Sequence, residues 1–151
     1  MKSQTDMKLP PSDMDAEECV LGAILLGGWE TFDKATEIIQ DDEAFYDHIA
    51  KHTWRAMRRL RKREQVIEPL TLVNEVKKKN NGVTAYYITG LIEKVVGTSM
   101  IHQHSLMVWE KYVQRQVGRT AYKLYNASFS SIETTRQILE EHGRYVDILR
   151  A

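Results

Sequence analysis

His48 and His52 stand four residues apart in HIAKH. On a helix that spacing sets two imidazoles on one face, one turn apart, where they could hold one divalent metal ion. The segment lacks the glutamate of the zinc-protease signature and no third ligand is evident, so an interfacial or solvated pair on an ordinary helix is the favoured reading. His102 and His104, in HQH, offer no better ligand set. Serines and histidines are plentiful, yet no G-x-S-x-G elbow exposes a nucleophile. No G-x-x-x-x-G-K-[ST] loop is present to cradle phosphates, and no pair of acids is set on a strand end to hold magnesium. The sequence therefore assigns no catalytic, metal-binding or cofactor-binding residue.

The sharpest chemical signal is cationic. Arg55, Arg58, Arg59, Arg61, Lys62 and Arg63 follow one another in TWRAMRRLRKR with no acid among them. One reading is a positive stripe over phosphates, each contact adding to a salt-sensitive affinity. The other is a solvated or partner-facing surface whose long stems cover an apolar seam. The second is favoured because no base-reading architecture follows, so any binding to DNA is expected to be weak. The tyrosines and tryptophans fall mostly at helical spacing and read as packing.

Net charge supports the same weighting. The 151 residues carry 21 bases and 21 acids, a formal charge of zero, unlike a dedicated duplex binder. The charge is blocked, however: residues 1–50 hold 12 acids against three lysines, and residues 51–80 hold ten bases against Glu64, Glu68 and Glu75. Such blocks can attract one another within one fold. Cys19 is the single cysteine, so no disulfide framework is expected, and it reads as a small buried hydrophobe. The longest apolar run falls far short of the roughly 20 residues a membrane span needs, and MKSQTDMKLPP lacks a signal-peptide core, so a cytoplasmic protein with no membrane partner is expected.

The elements that would position these residues are all helical. Ser12 and Asp13 are capping candidates for a helix whose face is Ala16, Val20, Ala23 and Ile24, with acids in its first turn, and Gly27-Gly28 stops it. Phe32, Ala35, Thr36 and Ile39 mark a short second helix. Phe45, Ile49, Thr53, Ala56 and Leu60 form the seam of the basic helix, widened by Trp54 and Met57. Pro69 interrupts it, and Thr71 can cap a short helix through Val76 to Lys79. Thr84 caps another, lined by Ile88, Leu91, Ile92 and Val95. Ser99 can open a helix from Met100 to about Asn126, about 39 Å long at 1.5 Å per residue. Ser130 with Glu133 forms a capping box for the return helix. The expected fold is all-α: a flexible lead over residues 1–11, a compact helical head over 12–97, and a long antiparallel helical hairpin over 99–150. Two apolar edges on so long a rod predict self-association through the hairpin. The residues expected to carry it are Ile101, Val108, Tyr112, Val113, Val117, Ala121, Leu124, Ile138, Leu139, Tyr145, Val146 and Leu149.

From Leu9 to about Leu149 the chain resembles the N-terminal domain of bacterial replicative DNA helicases of the DnaB type. LPPSDMDAEECVLGAILL is similar to the family's opening, a proline lead-in followed by A-E-x-x-V-L-G-x-x-L, here Ala16, Glu17, Val20, Leu21, Gly22 and Leu25. FYDHIAKHTW resembles the F-Y-x-x-x-H-x-x-I-F segment. VIEPLTLVNEV resembles P-I-D-x-x-T-L-x-x-x-L through Val66, Ile67, Glu68, Thr71, Leu72 and Val76. GVTAYYITGL resembles the next helix through Gly82, Tyr87, Ile88 and Leu91, and TSMIHQHSLMVWEKYVQR the first hairpin helix.

The resemblance implies a head-and-hairpin domain that pairs as a homodimer through its hairpins. It further implies a trimer-of-dimers collar on a hexameric helicase and a surface for primase and, in some members, a helicase loader. ATP and magnesium would be cofactors only of the separate motor domain; since the chain ends at YVDILRA, ahead of the linker helix, that motor is expected to be absent. Three functions stay open on the sequence: the assembly and docking domain of a replicative helicase, a free-standing protein that binds a helicase collar, and a small nonspecific DNA-binding module using the basic helix over 51–63.

Overall fold

Asp13 Oδ1 accepts the Ala16 backbone N–H at 2.9 Å, satisfying an orphan donor at the start of helix α1, Met14–Ile38. The computed structural model describes residues 9–150. Among them the chain is six helices with no strand: α1, then a 3-10 turn at Asp42–Ala44, α2 (His48–Lys62), α3 (Pro69–Lys77), α4 (Ala85–Glu93), α5 (Ile101–Ala127) and α6 (Ile132–Arg150). The expected flexible lead lies largely outside the described residues.

The stop expected at Gly27-Gly28 is a break inside α1, where Gly28 holds φ 66° and ψ −145°. That conformation is essentially restricted to glycine. Gly28→Ala should therefore lower stability by about 1–3 kcal/mol through backbone strain alone, since a Cβ there would meet nothing within 4 Å. Urea midpoints of the two proteins check this, and an unshifted midpoint counts against it.

Two turn assignments differ from expectation. The basic helix α2 is not ended by Pro69, since it stops at Lys62, and Pro69 instead starts α3. Its missing N–H falls where no helical partner exists, so Glu68 is the N-cap and Thr71 completes the capping box. Thr71 Oγ1 accepts from the Glu68 backbone N–H at 3.1 Å. At the last turn it is Ser131, not Ser130, whose Oγ accepts from an α6 backbone N–H, that of Thr134, at 3.3 Å. The Ser130 hydroxyl instead donates to the Ala127 carbonyl at 3.3 Å.

The chain divides into two compact units, Asp13–Glu110 and Lys111 onward together with the segment up to Ser12. The division falls within α5, not ahead of it near residue 98, because the first ten residues of that uninterrupted helix carry Ile101, Ser105 and Val108 into burial. In the first unit α1 packs on α4 and α2, and α3 packs on α2 and α4. Trp54 is fully buried there between Phe32 and Phe45, each ring centroid 4.9 Å away, and its indole N–H donates to Asp42 Oδ1 at 2.7 Å. Gly22 brings α1 against α4: a Cβ on it would lie 2.3 Å from the Leu91 carbonyl oxygen.

In the second unit Val113, Thr120 and Ala127 are buried at seven-residue spacing along α5. Thr135 Oγ1 donates across the turn to the Ala127 carbonyl at 3.3 Å. Arg115 Nη1 donates to the Pro11 carbonyl at 2.8 Å, fixing the proline lead-in.

Candidate interaction surfaces

The arginines of α2 are set by its seam. Ala50, Thr53, Trp54, Ala56, Met57 and Leu60 face inward and leave the cations at the rim. There the acids of neighbouring elements meet them. Arg55 pairs with Glu43 at 2.9 Å, and Arg58 pairs with Asp42 at 2.9 Å while its guanidinium lies over the Trp54 ring. Arg61 donates two hydrogen bonds to Asp33, at 3.0 and 3.1 Å, and stacks over Trp29 at 4.6 Å. Lys51 pairs with Glu43 at 2.8 Å, and hydrogen bonding from that lysine holds the Glu43 carboxyl below its usual range.

The deepest of these contacts centres on Glu75. Its side chain is only 3% exposed and receives Arg59 at 2.9 Å, Lys78 at 3.0 Å and a short contact from Arg63. Burial pushes its carboxyl up, but the hydrogen bonds from Arg63, Arg59 and Lys78 outweigh it and hold the pKa at about 2. Of the six cations singled out in the sequence, Lys62 alone has no carboxylate within ion-pair distance among the described residues, and it is exposed. The α2 face thus presents alternating charge, with little uncompensated field for phosphates.

Glu17 is a second buried acid with a job the sequence does not reveal. Expected as a first-turn acid favoured by the helix dipole, it lies 1% exposed and its Oε1 accepts the Asp47 backbone N–H at 3.1 Å, just ahead of α2. The His48 and His52 rings meet edge to face with centroids 4.3 Å apart. Burial first, then the neighbouring His48, Arg55 and Lys51, lower the His52 pKa. No cluster of three or more histidine, cysteine or acidic side chains suited to a metal occurs among the described residues. Cys19 is half-buried, and burial, followed by Asp15 and Asp13, raises its thiol pKa, which disfavours the thiolate.

Of the residues expected at a self-association surface, Ile101, Val108, Tyr112 and Val113 are buried within the single chain, so they are core and not available to a second copy. Val117, Leu124, Ile138 and Val146 are half-buried, while Ala121 and Leu139 are exposed. The side chains of Tyr145 and Leu149 lie outside the described residues. The structure adds apolar residues that sequence reasoning missed: Tyr122 and Tyr125 on α5, Phe129 in the turn that follows it, and Ile132 on α6 are all well exposed. Tyr125 and Phe129 stack edge to face at 5.3 Å. Their i, i+3, i+7 spacing was the available signal. Ile132 and Leu139, 75% and 54% exposed, lie seven residues apart on one edge of α6, with Val146 continuing it.

The family model of the DnaB-like helicase N terminal domain matches residues 9–110. This chain belongs to that family. The match ends at Glu110, where the first compact unit also ends. Among curated proteins the chain is similar to the "Replicative DNA helicase DnaB" of Rhodothermus marinus, 28% identical over 147 residues, covering 93% of this chain and 15% of the relative. It is also similar to the "Replicative DNA helicase DnaC" of Bacillus subtilis, 26% identical over 139 residues, covering 89% of this chain and 30% of the relative. The chain thus spans less than a third of the length of these helicases. Among solved structures, the N-terminal domain of DnaB helicase from Mycobacterium tuberculosis superposes with a TM-score of 0.82 over 91% of this chain and 99% of that one. At 21% identity that likeness establishes the DnaB N-terminal fold.

Proposed function

We propose that this chain is an assembly and docking domain of a replicative DNA helicase, acting in DNA replication by self-association and by presenting its head to protein partners such as a primase or a helicase loader. The observation that carries the reading is the apolar edge of α6, exposed Ile132 and Leu139 with half-buried Val146, beside exposed Tyr125 on α5 and Phe129 in the turn that follows, in a member of the DnaB N-terminal family. Apolar side chains at heptad spacing gain from burial against a copy of themselves, each contributing about 1.5–3 kcal/mol when fully removed from water. The surface of α2 suits a protein partner better than DNA, since its arginines are already matched by Asp33, Asp42, Glu43 and Glu75. Nucleotide hydrolysis, with its ATP and magnesium, belongs on this reading to a separate motor domain. No helix among the described residues is long and apolar enough to cross a membrane, and a cytoplasmic setting follows from the proposed role.

Light scattering across a concentration series tests self-association. The chain should form dimers, and Ile132→Asp with Leu139→Asp should raise the dissociation constant by about a hundredfold, since two desolvated carboxylates replace apolar contact. A chain that stays monomeric at every concentration, or dimers indifferent to both substitutions, would remove the basis for the proposal.

A further inference from the structure

Lys111, Arg115, Arg119 and Lys123 recur at every fourth residue of α5, and no aspartate or glutamate occurs between Glu110 and Glu133. The ladder runs ~18 Å along the helix at 1.5 Å per residue. Its members differ in what they do. Arg115 is buried, donating to the Pro11 carbonyl at 2.8 Å with its guanidinium 5.8 Å from the Tyr112 ring. It thereby holds Pro10-Pro11 as one wall of a groove of about 600 Å³ whose other lining includes Gly118, Arg119, Tyr122 and Lys123. Arg119 and Lys123 are exposed, Lys111 is half-exposed beside Gln114, and Tyr122 is 70% exposed. Among the described residues none that lines the groove is acidic, in contrast to α2, where carboxylates answer the arginines.

We propose that this face of α5 is a track for single-stranded nucleic acid, with Lys111, Arg119 and Lys123 on phosphates and Tyr122 stacked on a base. A cationic groove that follows the backbone, combined with an exposed aromatic ring, is the physical basis of sequence-tolerant single-strand binding. Steps of four residues advance about 6 Å along a helix, a pitch comparable with successive phosphates of an extended strand. A paired base cannot offer its face to Tyr122, which selects single strands over duplex. The inference uses Tyr122 but none of Ile132, Leu139, Tyr125 and Phe129, on which the proposed self-association rests, so the two can be tested apart.

Fluorescence anisotropy of the whole chain with a labelled oligothymidylate of about ten nucleotides tests it. Binding should weaken about twentyfold between about 50 and about 200 mM salt, as expected when three phosphates are neutralised on a single strand. Arg119→Glu with Lys123→Glu should weaken it by at least about tenfold at the lower salt. Tyr122→Ala should weaken it by about tenfold, and Lys62→Glu on α2 should leave it unchanged. If the double charge reversal loses helical signal, Arg119→Gln with Lys123→Gln carries the comparison. The proposal is overturned if the oligonucleotide does not bind at the lower salt, if the α5 variants bind as the parent does, or if Lys62→Glu costs as much as they do. Preference for a duplex of equal length also overturns it. So does displacement by polyglutamate with Tyr122→Ala silent, which would mark the groove as a site for an acidic protein.

Discussion

Replacing Gly22 by alanine should destabilise the protein by about 4 kcal/mol, a large share of the 5–15 kcal/mol that holds a domain folded. The added methyl would sit 2.3 Å from the Leu91 carbonyl oxygen and 3.1 Å from its carbon. Both are backbone atoms, so no side-chain rotation relieves the clash and α1 must move off α4. That movement opens the packing around Leu21, Ile88 and Leu91, all buried. Gly90 supplies the control. It lies one residue from Leu91 within α4, yet a Cβ there meets nothing within 4 Å. Gly90→Ala should therefore stabilise by up to about 1 kcal/mol through helix propensity. Denaturant midpoints moving in opposite directions for the two substitutions are the expected result; a Gly22→Ala midpoint close to the parent's would contradict the close approach.

The second large effect concerns Glu75 and acid. Its folded pKa of about 2 lies below the ordinary value of 4.5. The folded state therefore binds this proton less readily than the unfolded chain, and the stability Glu75 contributes is complete above about pH 5 and is lost as pH falls towards 2. Because Arg63 and Lys78 are both more than a third exposed, solvent screens part of the interaction, and about 2 kcal/mol is expected from the carboxylate. Glu75→Gln should lose that amount at neutral pH and flatten the stability profile between about pH 5 and pH 2. Glu75→Ala should cost more, about 3 kcal/mol, because it also leaves Arg59, Arg63 and Lys78 facing a void. Urea unfolding at several pH values separates the two contributions. An acid limb as steep in Glu75→Gln as in the parent would assign acid sensitivity to other carboxylates.

The helices were legible in the sequence because their faces are regular. Ala16, Val20, Ala23 and Ile24 are all buried, as their spacing required, and α5 begins and ends within a residue of the expected range. The attraction between an acidic first block and a basic second one was legible too, and Arg58 with Asp42 and Arg61 with Asp33 realise it. What one-dimensional pattern could not supply was which acids turn inward. Glu17 and Glu75 occupy helical positions like those of solvated acids, and only the approach of Asp47, Arg59 and Arg63 from other elements makes burial tolerable. Which of the hairpin's apolar residues are covered within the chain was hidden for a related reason. Val113 and Tyr125 both belong to apolar stripes of α5, but a stripe does not say which neighbour covers it, and burial takes the first while leaving the second exposed.

The partners of the head's polar contacts lie close together along the chain. Arg55 reaches Glu43 across 12 residues, Arg61 reaches Asp33 across 28, Asp47 reaches Glu17 across 30, and Trp29 reaches Gln65 across 36. Loop closure at such separations is inexpensive in entropy, and helical domains of low contact order fold in microseconds to milliseconds. Synthesis at roughly 5–20 residues per second is far slower. The head can thus reach its native arrangement on the ribosome as soon as residue 110 has emerged, before α6 has left the exit tunnel. A nascent chain would then carry a finished head while its hairpin is still incomplete, so the proposed pairing of two copies through α6 would follow head folding and would not template it.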